Sequence, residues 1–193
     1  MEATIEVAAV APAGTAGLPE PRAAGTTAPS RMLAPPGEYL SFRLGDESYG
    51  IDILRVKEIR SYEAPTRIAG ASPFVKGVVN LRGVIVPIVD LRLLLGCERA
   101  EVDGFTVVIV LVVGGREVGV VVDAVADVQE LEAAHIKPAP ALGERVDSSY
   151  ISGIGAVGEG KGEGKPESDR ERMLILVDVE RMLAHAGLER ISP

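Results

Sequence analysis

The segment YLSFRLGDESYGIDILRVKEI (39–59) returns 69 positions later as VIVLVVGGREVGVVVDAVADV (108–128). Gly45 falls on Gly114, Gly50 on Gly119, Val56 on Val125, Glu58 on Asp127 and Ile59 on Val128. Further on, Gly77 in KGVV meets Gly153 in SGIG at an offset of 76, and IVDLRLLL meets LVDVERML at an offset of 88. The step from 76 to 88 comes from a Gly/Lys/Glu-rich insert, GEGKGEGKPESDRE at 158–171. Chance likeness among Val-rich strands does not keep glycines and acidic residues in register, so the pattern reads as an internal duplication. Each copy is too small to bury a good core alone, so the two must pack on each other.

The element type within each copy follows from short apolar or alternating runs rich in Val and Ile, with glycine every several residues. Leu40, Phe42 and Leu44 alternate on one face, the chain turns at Gly45-Asp46, and alternation resumes at Tyr49, Ile51 and Ile53, which predicts a hairpin. Helix signals are brief: Asp90 before LRLLLG and Asp178 before VERMLAHAG, each an N-cap with a glycine to end the turn. The predicted class is all-β, with about five strands per unit, and a small sheet escapes its exposed edges by closing into a barrel. Pro87 has no N–H to give a ladder and is expected at an edge or a bulge. NLRG (80–83) is expected to be a hairpin tip that holds Arg82 near the surface.

Residues 1–37 are dominated by Ala, Pro, Gly and Thr and are expected to form a flexible tail, with 158–171 a long solvated loop. The folded part runs over 38–187, as one barrel-forming repeat at about 38–96 and a second at about 104–187. Twenty basic against 28 acidic residues give a net charge of −8, which repels phosphate backbones and anionic lipid and argues against nucleic acid as a partner. Seven aromatic residues with no tryptophan make a poor base-stacking platform. The single cysteine, Cys97, rules out an intramolecular disulfide and suits a reducing compartment. The apolar run FTVVIVLVV (105–113) is far short of the roughly 20 residues that span a bilayer, so no membrane insertion is expected. The first residues lack a secretory signal, and the expected location is the cytoplasm.

Candidate chemistry is thin. His135 and His185 have no Cys or carboxylate at metal-ligand spacing. GEGKGEG lacks the strand, helix and Lys-Ser/Thr pair of a phosphate loop. No cofactor or metal is expected. Asp90, Asp123 and Asp178 follow apolar strands and could serve as catalytic carboxylates, although helix capping accounts for the first and last. What remains is surface suited to docking: Val56 and Glu58 at a strand end, Gly77, Arg82 at a hairpin tip, and HIKPAPAL after the second repeat.

FRLGDESYGIDILRVKEI, TRIAGASPFVKGVVNLRGVIVPIVDLR, TVVIVLVV, VGVVVDAVADV, IKPAP and RMLILVDVERML together resemble the CheW family of chemotaxis coupling proteins, from about Glu38 to Leu183. The resemblance implies two intertwined five-stranded barrels similar to Src-homology-3 folds. It also implies a non-catalytic adaptor that couples chemoreceptors to the histidine kinase CheA in signalling arrays. Ile53, Val56 and Glu58 would then lie at the surfaces for the receptor's cytoplasmic hairpin tip and the kinase's regulatory domain. Gly77 would allow close approach of a partner's backbone, and Arg82 would sit where the two surfaces meet. Lys137 and Leu142 would form a second kinase contact where the family often carries an arginine and an aromatic. Lys lacks Arg's planar fork and Leu lacks ring contacts. The readings in competition are a CheW-type adaptor of a non-flagellar chemosensory pathway and a barrel-fold enzyme using Asp90 or Asp123.

Overall fold

The computed structural model describes residues 33–97, 100–140, 149–158 and 172–188. The first half of the fold supplies β1 (Gly37–Leu44), β2 (Glu47–Asp52), β3 (Val56–Ser61), β4 (Val75–Leu81), β5 (Val84–Asp90) and the short helix α1 (Leu91–Leu94). The second supplies β6 (Val107–Val113), β7 (Arg116–Val122), β8 (Ala124–Leu131), β9 (Ile136–Lys137), β10 (Ile151–Val157), β11 (Arg172–Val177) and α2 (Val179–His185). These form two Src-homology-3-like barrels packed together. One sheet runs β8-β1-β2-β11-β10-β9 and the other β3-β6-β7-β5-β4.

The sheet orders show how the duplication is used. Neither repeat builds a barrel by itself. β1 and β2 of the first repeat join β8, β10 and β11 of the second, while β6 and β7 of the second join β3, β4 and β5 of the first. The simplest use of the two barrel-forming repeats, 38–96 and 104–187, as one barrel each gives way to an exchange of strands, in keeping with the intertwined barrels that the resemblance implies. The exchange happens at two short crossovers. After β2, Asp52 accepts a 2.9 Å hydrogen bond from Leu54 N and starts a 3-10 turn over Ile53–Arg55, which carries the chain on to β3 beside β6. After β7, Asp123 alone carries it on to β8 beside β1.

Corresponding residues keep their register across the exchange. Leu176 of β11 pairs in parallel with Gly50 of β2, and Ile88 of β5 with Gly119 of β7. A Cβ on Gly50 would lie 2.7 Å from Leu174 Cδ2, and one on Gly119 would lie 2.5 Å from Ile88 Cδ1. The repeated glycines are thus explained by a large side chain of the exchanged strand lying on each of them.

The strands β1 and β6 are buried on both faces, which is why 105–113 reads as a nearly continuous apolar run. Leu40, Phe42, Leu44, Ile109, Leu111, Val120 and Val122 face one shared cluster with Leu91 of α1 and Met182 and Leu183 of α2. The opposite faces fill the separate barrels: Tyr39, Leu131, Ile136, Leu174 and Leu176 in one, and Val86, Ile88, Val108, Val110 and Val121 in the other. The largest core thus lies between the barrels and draws on both repeats, so neither barrel has a complete core alone.

Ordered packing begins ahead of the compositional boundary at 37. Ala34 is buried, its N donates to Ser152 O at 3.0 Å, and the Tyr39 hydroxyl donates to Pro35 O at 2.5 Å. Alanine and proline content does not reveal such docking. Residues 1–32 of the expected tail and 159–171 of the expected loop lie outside the described residues.

Of the edge or bulge expected for Pro87, the edge is not found, and a bulge lies one residue pair away, where the β4–β5 register shifts between Val75 and Gly77. Pro87 sits in β5, between β4 and β7, rather than on an edge. Opposite it, Val78 directs both its N–H and its C=O away from β5 to Thr66, at 2.9 Å each, and the parallel ladder to β7 starts only at Ile88. Pro87 therefore occupies a non-hydrogen-bonded pair where a missing N–H costs no ladder bond.

Asp90 and Asp178 cap their helices as expected, accepting from Arg92 N at 3.2 Å and Arg181 N at 3.1 Å. Asp90 does more. It is fully buried beside Arg92, whose guanidinium grips both its oxygens at 2.9 Å. Arg92 Nη1 also donates to Asp123 Oδ1 at 2.8 Å and Glu101 O at 2.5 Å. Asp90 and then Asp123 raise the affinity of this guanidinium for its proton, although burial opposes them.

Candidate protein-docking site

The β4–β5 hairpin ends in the two-residue tip Arg82-Gly83, with φ of 54° and 91°. Positive φ at both positions is the I′ geometry that matches the twist of paired strands. Glycine adopts it freely, whereas Arg82 is the non-glycine residue with positive φ among the described residues. Asn80 Oδ1 accepts from Gly83 N at 2.7 Å and fixes the tip. Strain held on a rigid tip points to a role for the side chain displayed there.

That side chain is 78% exposed and its Nη2 lies 3.3 Å from Glu58 Oε2 on β3. Arg60 Nη1 stands 3.8 Å from the other Glu58 oxygen. The structure thus brings together Glu58 and Arg82, two residues 24 positions apart. Ile59, Val84 and Ile85, at 45%, 47% and 61% exposure, add apolar area on the same two elements. Between β3 and β4, Arg60, Ser61, Thr66, Val78, Asn80 and Leu81 line a pocket of about 240 Å³. An exposed ion pair with apolar neighbours on a fixed hairpin can bind a protein surface.

The duplication supplies an internal comparison. Asp127 stands where Glu58 does in the other copy. Its carboxyl is held below the usual carboxylate range by hydrogen bonds, first from Gln129 and then from Ser41, with burial opposing. Ser41 Oγ donates to it at 2.9 Å. The position matching Ser41 is Val110, which has no hydroxyl to offer Glu58. One acidic residue is thus tied into its own barrel, and the other meets arginines at the surface.

The remaining expected residues are more dispersed. Ile53 and Val56, at the first crossover, are partly buried against the shared core, and Leu54 between them is 86% exposed. Lys137 is exposed on β9, in the other barrel from Arg82. Leu142 lies outside the described residues. Gly77 is buried at a bulge in β4 with φ of 139°, and a Cβ there would fall 2.0 Å from Thr66 O. The backbone that lies so close to Gly77 is that of Thr66 in the same chain. Gly77→Ala is expected to destabilise the fold by about 1–3 kcal/mol, through overpacking and a strained φ. A urea midpoint equal to that of the parent would refute this.

Sequence reading missed Ile59, Val84, Ile85 and Arg92. Strand alternation points Ile59 away from Glu58, which is a usable signal. For Arg92, an arginine among leucines in LRLLLG, burial against Asp90 has no local signature. Asp90 and Asp123, the carboxylates considered for catalysis, are engaged with Arg92, and Asp123 Oδ2 also accepts from Gly45 N at 2.7 Å. Among the described residues, no helix is long and apolar enough to cross a membrane.

The CheW-like domain model matches residues 38–187. A chemotaxis protein CheW of Klebsiella aerogenes is 51% identical over 147 residues, covering 76% of this chain and 81% of that protein. One of Rhizobium meliloti is 36% identical over 143 residues, covering 74% and 84%. The crystal structure of the scaffolding protein TtCheW from Thermoanaerobacter tengcongensis superposes with a TM-score of 0.65 at 27% identity, covering 77% of this chain and 92% of that one.

Proposed function

The chain belongs to the CheW family, and we propose on that ground that it is a chemotaxis adaptor that couples chemoreceptors to the histidine kinase CheA without chemistry of its own. The observation that carries this reading is the Glu58–Arg82 pair on a rigid, strained tip, with exposed Val84 and Ile85 on the same hairpin. In this reading that face takes the kinase's regulatory domain, and the first crossover, with Ile53, exposed Leu54 and Val56, takes the receptor's cytoplasmic hairpin tip. Lys137 marks a second, weaker kinase contact on the other barrel. An adaptor can transmit a signal only by binding one state of a partner better than another. Interfaces of roughly 1,000 Å² would be weak singly and gain strength by repetition in an array.

Capture assays with the kinase regulatory domain and a receptor cytoplasmic fragment, separately and together, test the reading. Binding to each, and a joint complex containing all three, is the expected result. Failure to bind either partner would overturn it.

A further inference from the structure

The two crossovers between barrels are each spanned by an ion pair to the neighbouring short helix. At the second crossover Asp123 meets Arg92 of α1 at 2.8 Å, with side-chain exposures of 31% and 1%. At the first, Arg55 meets Glu180 of α2 at 2.7 Å, with exposures of 46% and 48%. Arg92 and Glu180 occupy matching positions in the duplication, 88 apart. At the other end the match is not residue for residue, since Arg55 falls one position past the counterpart of Asp123, so the two links are alike in placement only, with their charges reversed, and they differ in strength. An exposed pair contributes little and is screened by salt, whereas a buried bidentate guanidinium is held firmly.

The buried link reaches across the barrels. Arg92 follows β5 and grips Asp90 at the end of that strand, in the five-stranded sheet. Asp123 takes one Arg92 N–H on Oδ1 and, on Oδ2, the N–H of Gly45 in the β1–β2 turn of the other sheet. Its own N donates to Arg43 O at 3.1 Å. The chain Asp90–Arg92–Asp123–Gly45 thus runs from one barrel to the other. At the first crossover, Leu54 stands where the second has Asp123 and offers no carboxylate for such a chain.

We propose that Arg92, through Asp90 and Asp123, is the positioning residue that fixes the angle between the barrels, so that a partner bound on one face is felt at the other. The effect on partners rests on the adaptor reading above; the effect on the barrel angle does not.

Two spin labels read that angle, at Phe105→Cys beside β6 and Met173→Cys on β11, in a Cys97→Ser background. The full chain is expected to give one narrow distance distribution that persists in about 1 M salt, where exposed pairs are screened within about 3 Å. Asp123→Asn, which removes the acceptor for Gly45 N or for Arg92, is expected to widen the distribution about twofold. Arg92→Lys, which keeps a charge beside Asp90 but loses the fork that reaches Asp123, is expected to do the same. Glu180→Gln is expected to leave it unchanged. Widening in salt, no widening in either strut variant, or equal widening in Glu180→Gln would overturn the proposal.

Affinities supply the second arm. Each partner alone is expected to bind Asp123→Asn within about twofold of the parent, while the influence of one partner on the other falls by about fivefold or more. Unchanged mutual influence would also overturn the proposal. If the parent chain binds neither partner, the adaptor reading fails, and the label distances still decide the strut.

Discussion

Glu58→Lys is expected to abolish measurable capture of the kinase regulatory domain while leaving the protein folded. The substitution sets a third cation between Arg82 and Arg60, which now lie 3.3 and 3.8 Å from the Glu58 carboxylate. In the free protein the change is mild, because exposed pairs of this kind contribute about 0–1 kcal/mol, and a shift in Tm of no more than about 4 °C is expected. In a complex the same carboxylate is desolvated, and losing one member of a buried charge pair costs about 2–5 kcal/mol, or at least about thirtyfold in affinity. Arg82→Ala should act in the same direction, and because alanine also carries a Cβ it leaves the strain of the positive φ at the tip in place. Calorimetric titration against the regulatory domain, with thermal unfolding as control, decides the matter. Parent-like affinity would remove the tip from the docking surface, and unfolding at ordinary temperature would make the pair structural instead.

Arg92→Leu is expected to be the most damaging substitution at a single side chain, by about 3–5 kcal/mol. It strands the Asp90 carboxylate, which is fully buried, with Lys76 Nζ 4.0 Å away as the remaining cation. A domain of this size has about 5–15 kcal/mol of stability in all, so much of it would be lost. Adding Asp90→Asn and Asp123→Asn to Arg92→Leu should restore part of the loss, because it removes the charges the leucine leaves unpaired. Urea unfolding of the three proteins checks this. A loss under about 1 kcal/mol for Arg92→Leu, or a further loss in the triple variant, would contradict the account.

The fold class and the candidate site were legible to different depths. Alternation of Leu40, Phe42 and Leu44 and the glycines between runs are local consequences of a pleated, half-buried backbone, so the strands and hairpins could be read directly. The Asp90 and Asp178 caps were equally local. Arg82 at a tip followed from the turn residues of NLRG. Its neighbour Glu58 did not, because nothing in the spacing of the two residues says that β3 and β4 close the same barrel.

That this chain is a duplicated all-β protein with paired glycines, capped short helices and an arginine on a hairpin tip can be read from its residues alone. These features are set within a strand, a turn or a repeat. Which strands of the two repeats hydrogen-bond to each other, the packing of Gly77 against Thr66 and the burial of Arg92 emerge from the folded chain. The physical reason is that the same alternation suits a barrel closed within one repeat or one made by exchange. The choice falls to packing between distant segments, at the two crossovers and in the core that both repeats share.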